Sequence, residues 1–151
     1  MKNQLTDIVV KYVDSTMEQK EAFAIRKKVF IEEQSVDPSI EMDGFDDSAT
    51  HIIARVKGKP VGTARWRETE KGIKLERFAV LSSFRGLNAG KKLVEFSLEQ
   101  LRKRENIYLH AQESVIQFYE KLDFECVGDI FYEAGIPHKK MIYKGEKVTH
   151  V

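Results

Sequence analysis

One segment constrains this chain more than any other. Residues 73–80 read as a β-strand, Leu93, Val94, Leu98 and Leu101 form the apolar stripe of a helix running to about Arg104, and residues 107–111, Ile-Tyr-Leu-His-Ala, are short and apolar enough to be a buried strand. A strand, a crossover helix and a second strand imply parallel pairing in a right-handed unit. The chain is therefore expected to be α/β, with helices flanking a sheet.

The remaining elements fit around that unit. Residues 8–13 are rich in β-formers and end at Asp14-Ser15-Thr16, a helix N-cap region with Glu18 in the first turn. Ala22, Ile25 and Val29 then recur at helical spacing to about Gln34, and Pro38 and Gly44 mark a loop. Residues 51–56 and 61–67 read as a hairpin around Lys57-Gly58-Lys59-Pro60. Ser114 is expected to cap a short helix through Val115, Phe118 and Leu122, and residues 124–131 and 139–143 read as closing strands joined by Gly135-Ile136-Pro137.

Composition narrows the function. The 151 residues suit one domain with one core, and 25 Lys+Arg against 24 Asp+Glu give a net charge of +1, which argues against a general nucleic-acid binder. No apolar run approaches the ~20 residues of a membrane span, no signal peptide is evident, and the lone Cys126 cannot form an internal disulfide; a cytoplasmic location is expected. The near-neutral total hides an imbalance. Residues 29–54 hold Glu32, Glu33, Asp37, Glu41, Asp43, Asp46 and Asp47 without a Lys or Arg, whereas basic residues prevail over residues 84–104. The turn Asp43-Gly44-Phe45-Asp46-Asp47 does not fit an EF-hand and reads as solvated. The histidines and Cys126 lack metal-ligand spacing, so no metal is expected; Cys126 reads as a small core residue.

The loop of residues 80–93, VLSSFRGLNAGKKL, is the most chemically informative stretch. Arg85, Lys91 and Lys92 crowd the start of a helix, where the macrodipole disfavours cations and favours an anion that can also take the unpaired backbone N–H groups. Gly86, Asn88 and Gly90 tolerate positive φ and let the backbone approach a ligand such as a pyrophosphate. A Walker A loop is excluded because only three residues separate Gly86 from Gly90 and Lys92 stands where a hydroxyl is needed. No GxGxxG fingerprint follows a strand.

Arg85-Gly86-Leu87-Asn88-Ala89-Gly90 resembles the Q/R-x-x-G-x-G/A acyl-CoA signature of the GNAT N-acetyltransferases, with Asn88 replacing the middle glycine. Phe118-Tyr119-Glu120-Lys121-Leu122-Asp123-Phe124 is similar to the family's F-Y-x-K-x-G-F segment, with Asp123 in place of glycine. Residues 61–65 and 76–80 match the strands before the signature. Residues 26–34, His110-Ala111-Gln112 and Glu133-Ala134-Gly135-Ile136-Pro137-His138 resemble the ElaA/YjcF branch.

The resemblance implies the GNAT acyl-CoA N-acyltransferase fold: a single domain over residues 1–151 with a mixed, mostly antiparallel sheet and a central parallel strand pair. Acetyl-CoA would insert where the two parallel strands diverge and would donate its acetyl group to an amine by direct attack. Phe78, Ala79 and Val80 would supply backbone donors to the thioester oxyanion; Arg85, Gly86, Leu87, Asn88, Ala89, Gly90 and Lys91 would receive the phosphates, and Gln112 would join the CoA site. Tyr119 matches the position of the acid that protonates the leaving thiolate, although Phe118, Tyr119 and Leu122 also fit a helix's apolar face. For the base, Glu76 and His138 are the two candidates; Glu76 could instead pair with Arg65 or Arg67 across the hairpin, and His138 could be a solvated turn residue. His51 and His110 read as strand residues. The acidic stretch falls where the family places the acceptor, which suggests a cationic amine. A catalytically silent acyl-CoA sensor is the alternative, and the oligomeric state, a homodimer included, stays open.

Overall fold

A computed structural model describes residues 7–145. Two β-strands with a helix between them organise it: β4 (Gly72–Val80), α3 (Ala89–Gln100) and β5 (Ile107–Gln112). β4 and β5 pair in parallel only through Ile73–Ile107, Lys74–Tyr108 and Leu75–Leu109. Beyond Leu75 the two strands separate. Gly72 is required where the unit begins, since its φ is +129° and a Cβ there would lie 2.0 Å from the Asn106 carbonyl oxygen.

β1 (Ile8–Tyr12), β2 (Thr50–Val56) and β3 (Lys59–Thr69) extend the sheet antiparallel on the β4 side, and β7 (Ile136–Tyr143) and β6 (Phe124–Glu133) extend it antiparallel on the β5 side. The order is β1-β2-β3-β4-β5-β7-β6. This is the mixed, mostly antiparallel sheet with a central parallel pair expected from the sequence. On one face α3 lays Ala89, Leu93 and Val94 over Ile52, Ala64, Ile73, Leu75 and Leu109. Against the other face, Ile25 and Val29 pack on Ala79.

The first helix, α1 (Thr16–Arg26), is capped by side chains at its N-terminus in a variant of the capping box that engages Asp14 instead of the N-cap N–H. Ser15 Oγ accepts from the Glu18 N–H at 3.1 Å, and the Glu18 carboxylate accepts from the Asp14 N–H at 3.1 Å. The helix then continues as a π-helical stretch, Lys27–Glu33, in which the Gln34 N–H reaches back to Val29 O. Such widening is frequent beside functional sites, and Val29 and Phe30 within it line the principal cleft.

Several expected boundaries shift. Residues Pro38–Glu41 form a short helix, α2, within the expected loop, begun by Asp37, whose carboxylate accepts from the Ser39 N–H. α3 stops at Gln100 rather than Arg104 because Leu101 leaves helical geometry. Ser114 caps nothing: the turn Glu113–Val115 leads into α4 (Ile116–Glu120), whose N-cap is Val115. The closing hairpin turns at Ala134-Gly135, with φ of +52° and +74°, so Ile136 and Pro137 lie in β7 opposite Glu133 and Tyr132. His138 is consequently a buried strand residue, not a solvated turn residue.

Candidate active site

Parting β4 from β5 opens a cleft of about 650 Å³ that runs from the loop before α3 to the ends of β6 and β7. A β-bulge sharpens the parting: the β3–β4 register slips between Thr63 and Arg65, and Arg77 adopts φ +60°. Phe78, Ala79 and Val80 follow the bulge and line the cleft where β4 has no partner on the β5 side. Beyond Leu75 the β5-facing edge of β4 therefore has no strand pairing.

The loop end is shaped by left-handed residues and an uncapped helix start. Gly86 (φ +82°) and Asn88 (φ +73°) take the left-handed conformation, so Asn88 does supply the backbone shape of the glycine it replaces. Asp123, the other residue standing for a glycine, has φ +73° as well. Asn88 is also the N-cap of α3, with no side-chain cap and no acidic residue in the first turn, which leaves the helix's first N–H groups to a ligand. Gly90 plays a different part from Gly86. It is helical, and a Cβ on it would sit 3.5 Å from the Phe118 ring.

Gly86, Asn88, Ala89, Gly90, Lys91, Arg85 and Gln112 line the cleft. The Arg85 side chain has an additional role within the chain. Its guanidinium pairs with both Glu33 oxygens and donates from Nε to the Val80 carbonyl at 2.9 Å, tying the loop to the π-helical segment. Gln112 Nε2 donates to Gln34 Oε1 at 3.0 Å, a second tie to that segment.

Tyr119 of α4 is buried, with its ring edge-on to Phe78, Phe118 and Phe124, and it borders the cleft. Core packing and cleft lining thus coincide in one side chain. Burial pushes its hydroxyl pKa well above the usual value, so it is a protonated donor at neutral pH.

Glu76 sits deep in the same face. Its Oε2 accepts from Arg65 Nε at 2.8 Å and Arg67 Nε at 2.6 Å, and Lys74 Nζ lies 3.3 Å from Oε1. Burial pushes its pKa up, but Arg67, Arg65 and Lys74 outweigh that and hold it below the ordinary carboxylate value. This is the cross-strand ion pair, and it makes Glu76 a poor proton acceptor.

That pair is one edge of a network the sequence did not reveal. Arg65, fully buried, also donates to Asp43 at 2.6 Å and Asp46 at 2.7 Å. Buried Arg26 donates to Glu41 at 2.6 Å and to the same Asp46 oxygen at 2.7 Å. Arg77 reaches Asp43 at 3.2 Å, and Arg67 stacks on Phe45, 4.0 Å from its ring centre. The turn of residues 43–47 is therefore ion-paired rather than solvated. Glu33, Glu41, Asp43 and Asp46 all have arginine partners, so the acidic stretch does not present a bare acidic face to the cleft.

Far from the loop, His138 Nδ1 lies 2.7 Å from its own strand's Ile136 O, its ring stacks on Phe131, and its Nε2 is 3.8 Å from Glu133. The nearer partner of Glu133 is His110, at 2.8 Å from Nδ1. In the sequence His110 reads as a strand residue and Glu133 carries no signal of its own, although both lie in segments that resemble the family. Among the described residues no group of three His, Cys, Asp or Glu side chains is placed to hold a metal. Cys126 packs against the main core and does not line the cleft.

A seven-stranded sheet with a parted parallel pair, an uncapped helix N-terminus at the parting and a buried tyrosine beside it defines an acyltransferase of the acyl-CoA N-acyltransferase fold. The acetyltransferase (GNAT) domain model matches residues 13–144, and the chain belongs to the GNAT acetyltransferase family. A Bacillus subtilis (strain 168) protein provisionally named an acetyltransferase is 41% identical over 138 residues, 87% of this chain and 93% of that protein. The Bacillus subtilis N-acetyltransferase YjcF is 35% identical, over 82% of this chain and 90% of its own. The crystal structure of Escherichia coli ElaA superposes with a TM-score of 0.80 at 25% identity, covering 91% of this chain and 99% of that one. No helix among the described residues is long and apolar enough to cross a membrane.

Proposed function

We propose that this protein transfers the acetyl group of acetyl-CoA to a primary amine of a small molecule or peptide by direct attack. The observation that carries the reading is the continuity of the cleft. It joins the uncapped N-terminus of α3, the unpaired end of β4 and the Tyr119 side chain in one cavity. A pyrophosphate at the first fits the free N–H groups and the helix dipole. The acyl group then falls at the parting of the strands, where the backbone N–H groups of Phe78 to Val80 stabilise the oxyanion; one well-placed donor contributes roughly 3 kcal/mol to such a transition state.

The amine nitrogen forms the C–N bond as the carbonyl π electrons move to oxygen. Collapse breaks the C–S bond, and Tyr119 gives its proton to the departing thiolate and recovers one from the new amide nitrogen. The single cysteine lies off the cleft, which supports direct attack over a cysteine-bound acetyl intermediate; it also suits a reducing compartment such as the cytoplasm. The acceptor is an amine whose charge faces Glu133 at the far end of the cleft, because Glu41, the one cleft-lining carboxylate of the acidic stretch, is already paired with Arg26.

Thermal-shift titration with acetyl-CoA, beside thiol release over a panel of amines, tests the reading. Expected is a rise in melting temperature together with amine-dependent release. A melting shift without turnover on any amine supports the acyl-CoA sensor instead, and no shift with acetyl-CoA, CoA or longer acyl-CoAs overturns both.

A further inference from the structure

An amine with a pKa near 10 arrives as an ammonium ion and must lose a proton before it attacks. Neither base suggested by the sequence is free to take it. Glu76 is held by three cations, and both nitrogens of buried His138 face groups of the chain, Ile136 O and Glu133.

The sheet brings a third candidate into the cleft. His110 stands on β5 just past Leu109, the last residue paired with β4, and lines the cleft. Glu133 ends β6, and because β7 is the only strand between them, the Ala134-Gly135 turn returns Glu133 to within 2.8 Å of His110 Nδ1. The Phe131 ring, 4.9 Å away and edge-on, holds the imidazole from one side. A carboxylate only accepts hydrogen bonds, so neutral His110 carries its proton on Nδ1 and leaves the Nε2 lone pair available. His110 retains 23% side-chain exposure against 10% for His138.

We propose that His110, oriented by Glu133, is the general base that deprotonates the acceptor ammonium. The inference rests on the acetyl-transfer reading above. The ammonium N–H proton passes to Nε2, the nitrogen keeps the electron pair that then forms the C–N bond, and the imidazolium is stabilised by the Glu133 carboxylate until it returns the proton to solvent. The carboxylate fixes the tautomer and steadies the cation, as in a hydrolase triad.

The charges around His110 come from every neighbouring element. β4 contributes Lys74 and Glu76, which engage each other; β5 itself contributes Tyr108; and β7 contributes His138 and Lys140, the latter lying across the pair from His110 with its ammonium over the Tyr108 ring at 4.9 Å. Glu133 from β6 is the one carboxylate in contact with the imidazole.

The test is the pH dependence of thiol release with the best amine of the panel, with the acetyl-CoA melting shift measured on every variant. His110→Gln is expected to lower kcat/KM about 100-fold near neutrality, to keep the melting shift, and to close the gap as pH rises and free amine accumulates. Exogenous imidazole should restore part of the rate to His110→Gly. Glu133→Gln, a positioning change, should lower the rate less and move the midpoint of the pH profile downward, since the imidazolium loses its counter-charge; Glu133→Asp should recover part of both.

Wild-type rate and pH profile in His110→Gln overturn the proposal. So does an equal loss at every pH with no imidazole rescue, or an unmoved midpoint in Glu133→Gln. A wild-type protein that binds acetyl-CoA but acetylates no amine sinks the transfer reading, and the base role with it.

Discussion

The two ends of the cleft hold charge in opposite ways. At the loop end the positive field comes mostly from backbone: left-handed Gly86 and Asn88, the uncapped start of α3, and exposed Lys91. On the β3–β4 face the charges are side chains locked to one another, with Arg65 fully buried among Glu76, Asp43 and Asp46. Backbone amides can meet a flexible polyanion without ordering long side chains. A pre-paired network instead ties β3, β4, α1 and the loop after α2 together through four arginines.

The sharpest way to break that comparison is Arg65→Ala, which would take one arginine partner from each of Glu76, Asp43 and Asp46. A loss of about 3–5 kcal/mol is expected from removing one member of a buried ion-pair set, read by denaturant titration. An unchanged midpoint would mean that the network does not hold the fold.

Acid does the same to the carboxylates by degrees. Burial pushes the Asp43 pKa up, but the Arg65 hydrogen bond and its neighbours hold it at about 2. The Lys11 hydrogen bond, with the Asp14 N–H, holds Glu18 at about 2 despite burial. Both folded values lie below the unfolded ones, so their stabilisation is complete above about pH 4–4.5 and is lost as pH falls towards 2. Stability measured across that window should decline, and Asp43→Asn should flatten the decline.

Tyr119→Phe separates chemistry from binding at the junction of the two regions. Turnover should fall on the order of 100-fold, while the acetyl-CoA melting shift persists because the ring packing is kept. Unchanged turnover at saturating substrate would remove Tyr119 from the reaction.

Smaller effects belong to the loop. Asn88→Val forces a β-branched residue into the left-handed region at a cost of about 1–2 kcal/mol, and should weaken acetyl-CoA binding, whereas Asn88→Gly should not. Arg85→Ala removes an exposed pair worth at most about 1 kcal/mol but frees the Glu33 charge beside the loop before α3. A several-fold rise in the acetyl-CoA KM with little change in melting temperature is expected.

Legibility in the sequence followed the range of the interactions. Apolar spacing and turn residues located every strand, because they are local; the α3 terminus, the Ser114 cap and the closing turn were displaced by packing of Leu101, by Val115 and by the pairing of Pro137 with Tyr132. The left-handed Asn88 was legible because few other residues adopt that backbone. His110 reads only as a strand residue because an imidazole in a strand has no meaning until its partner is known, and Glu133 lies 23 residues away.

By itself, then, the sequence determined the strand–helix–strand unit, the left-handed backbone of the loop before α3 and the family resemblance, since all three are written in contiguous residues. Only the tertiary structure decided which charges are free. It paired Glu41, Asp43 and Asp46 with Arg26, Arg65 and Arg77, tied Glu76 to Arg65 and Arg67, and joined His110 to Glu133 across β7. Coulombic and hydrogen-bond partners are set by distance in space, and a composition of +1 cannot say which carboxylate already has its arginine.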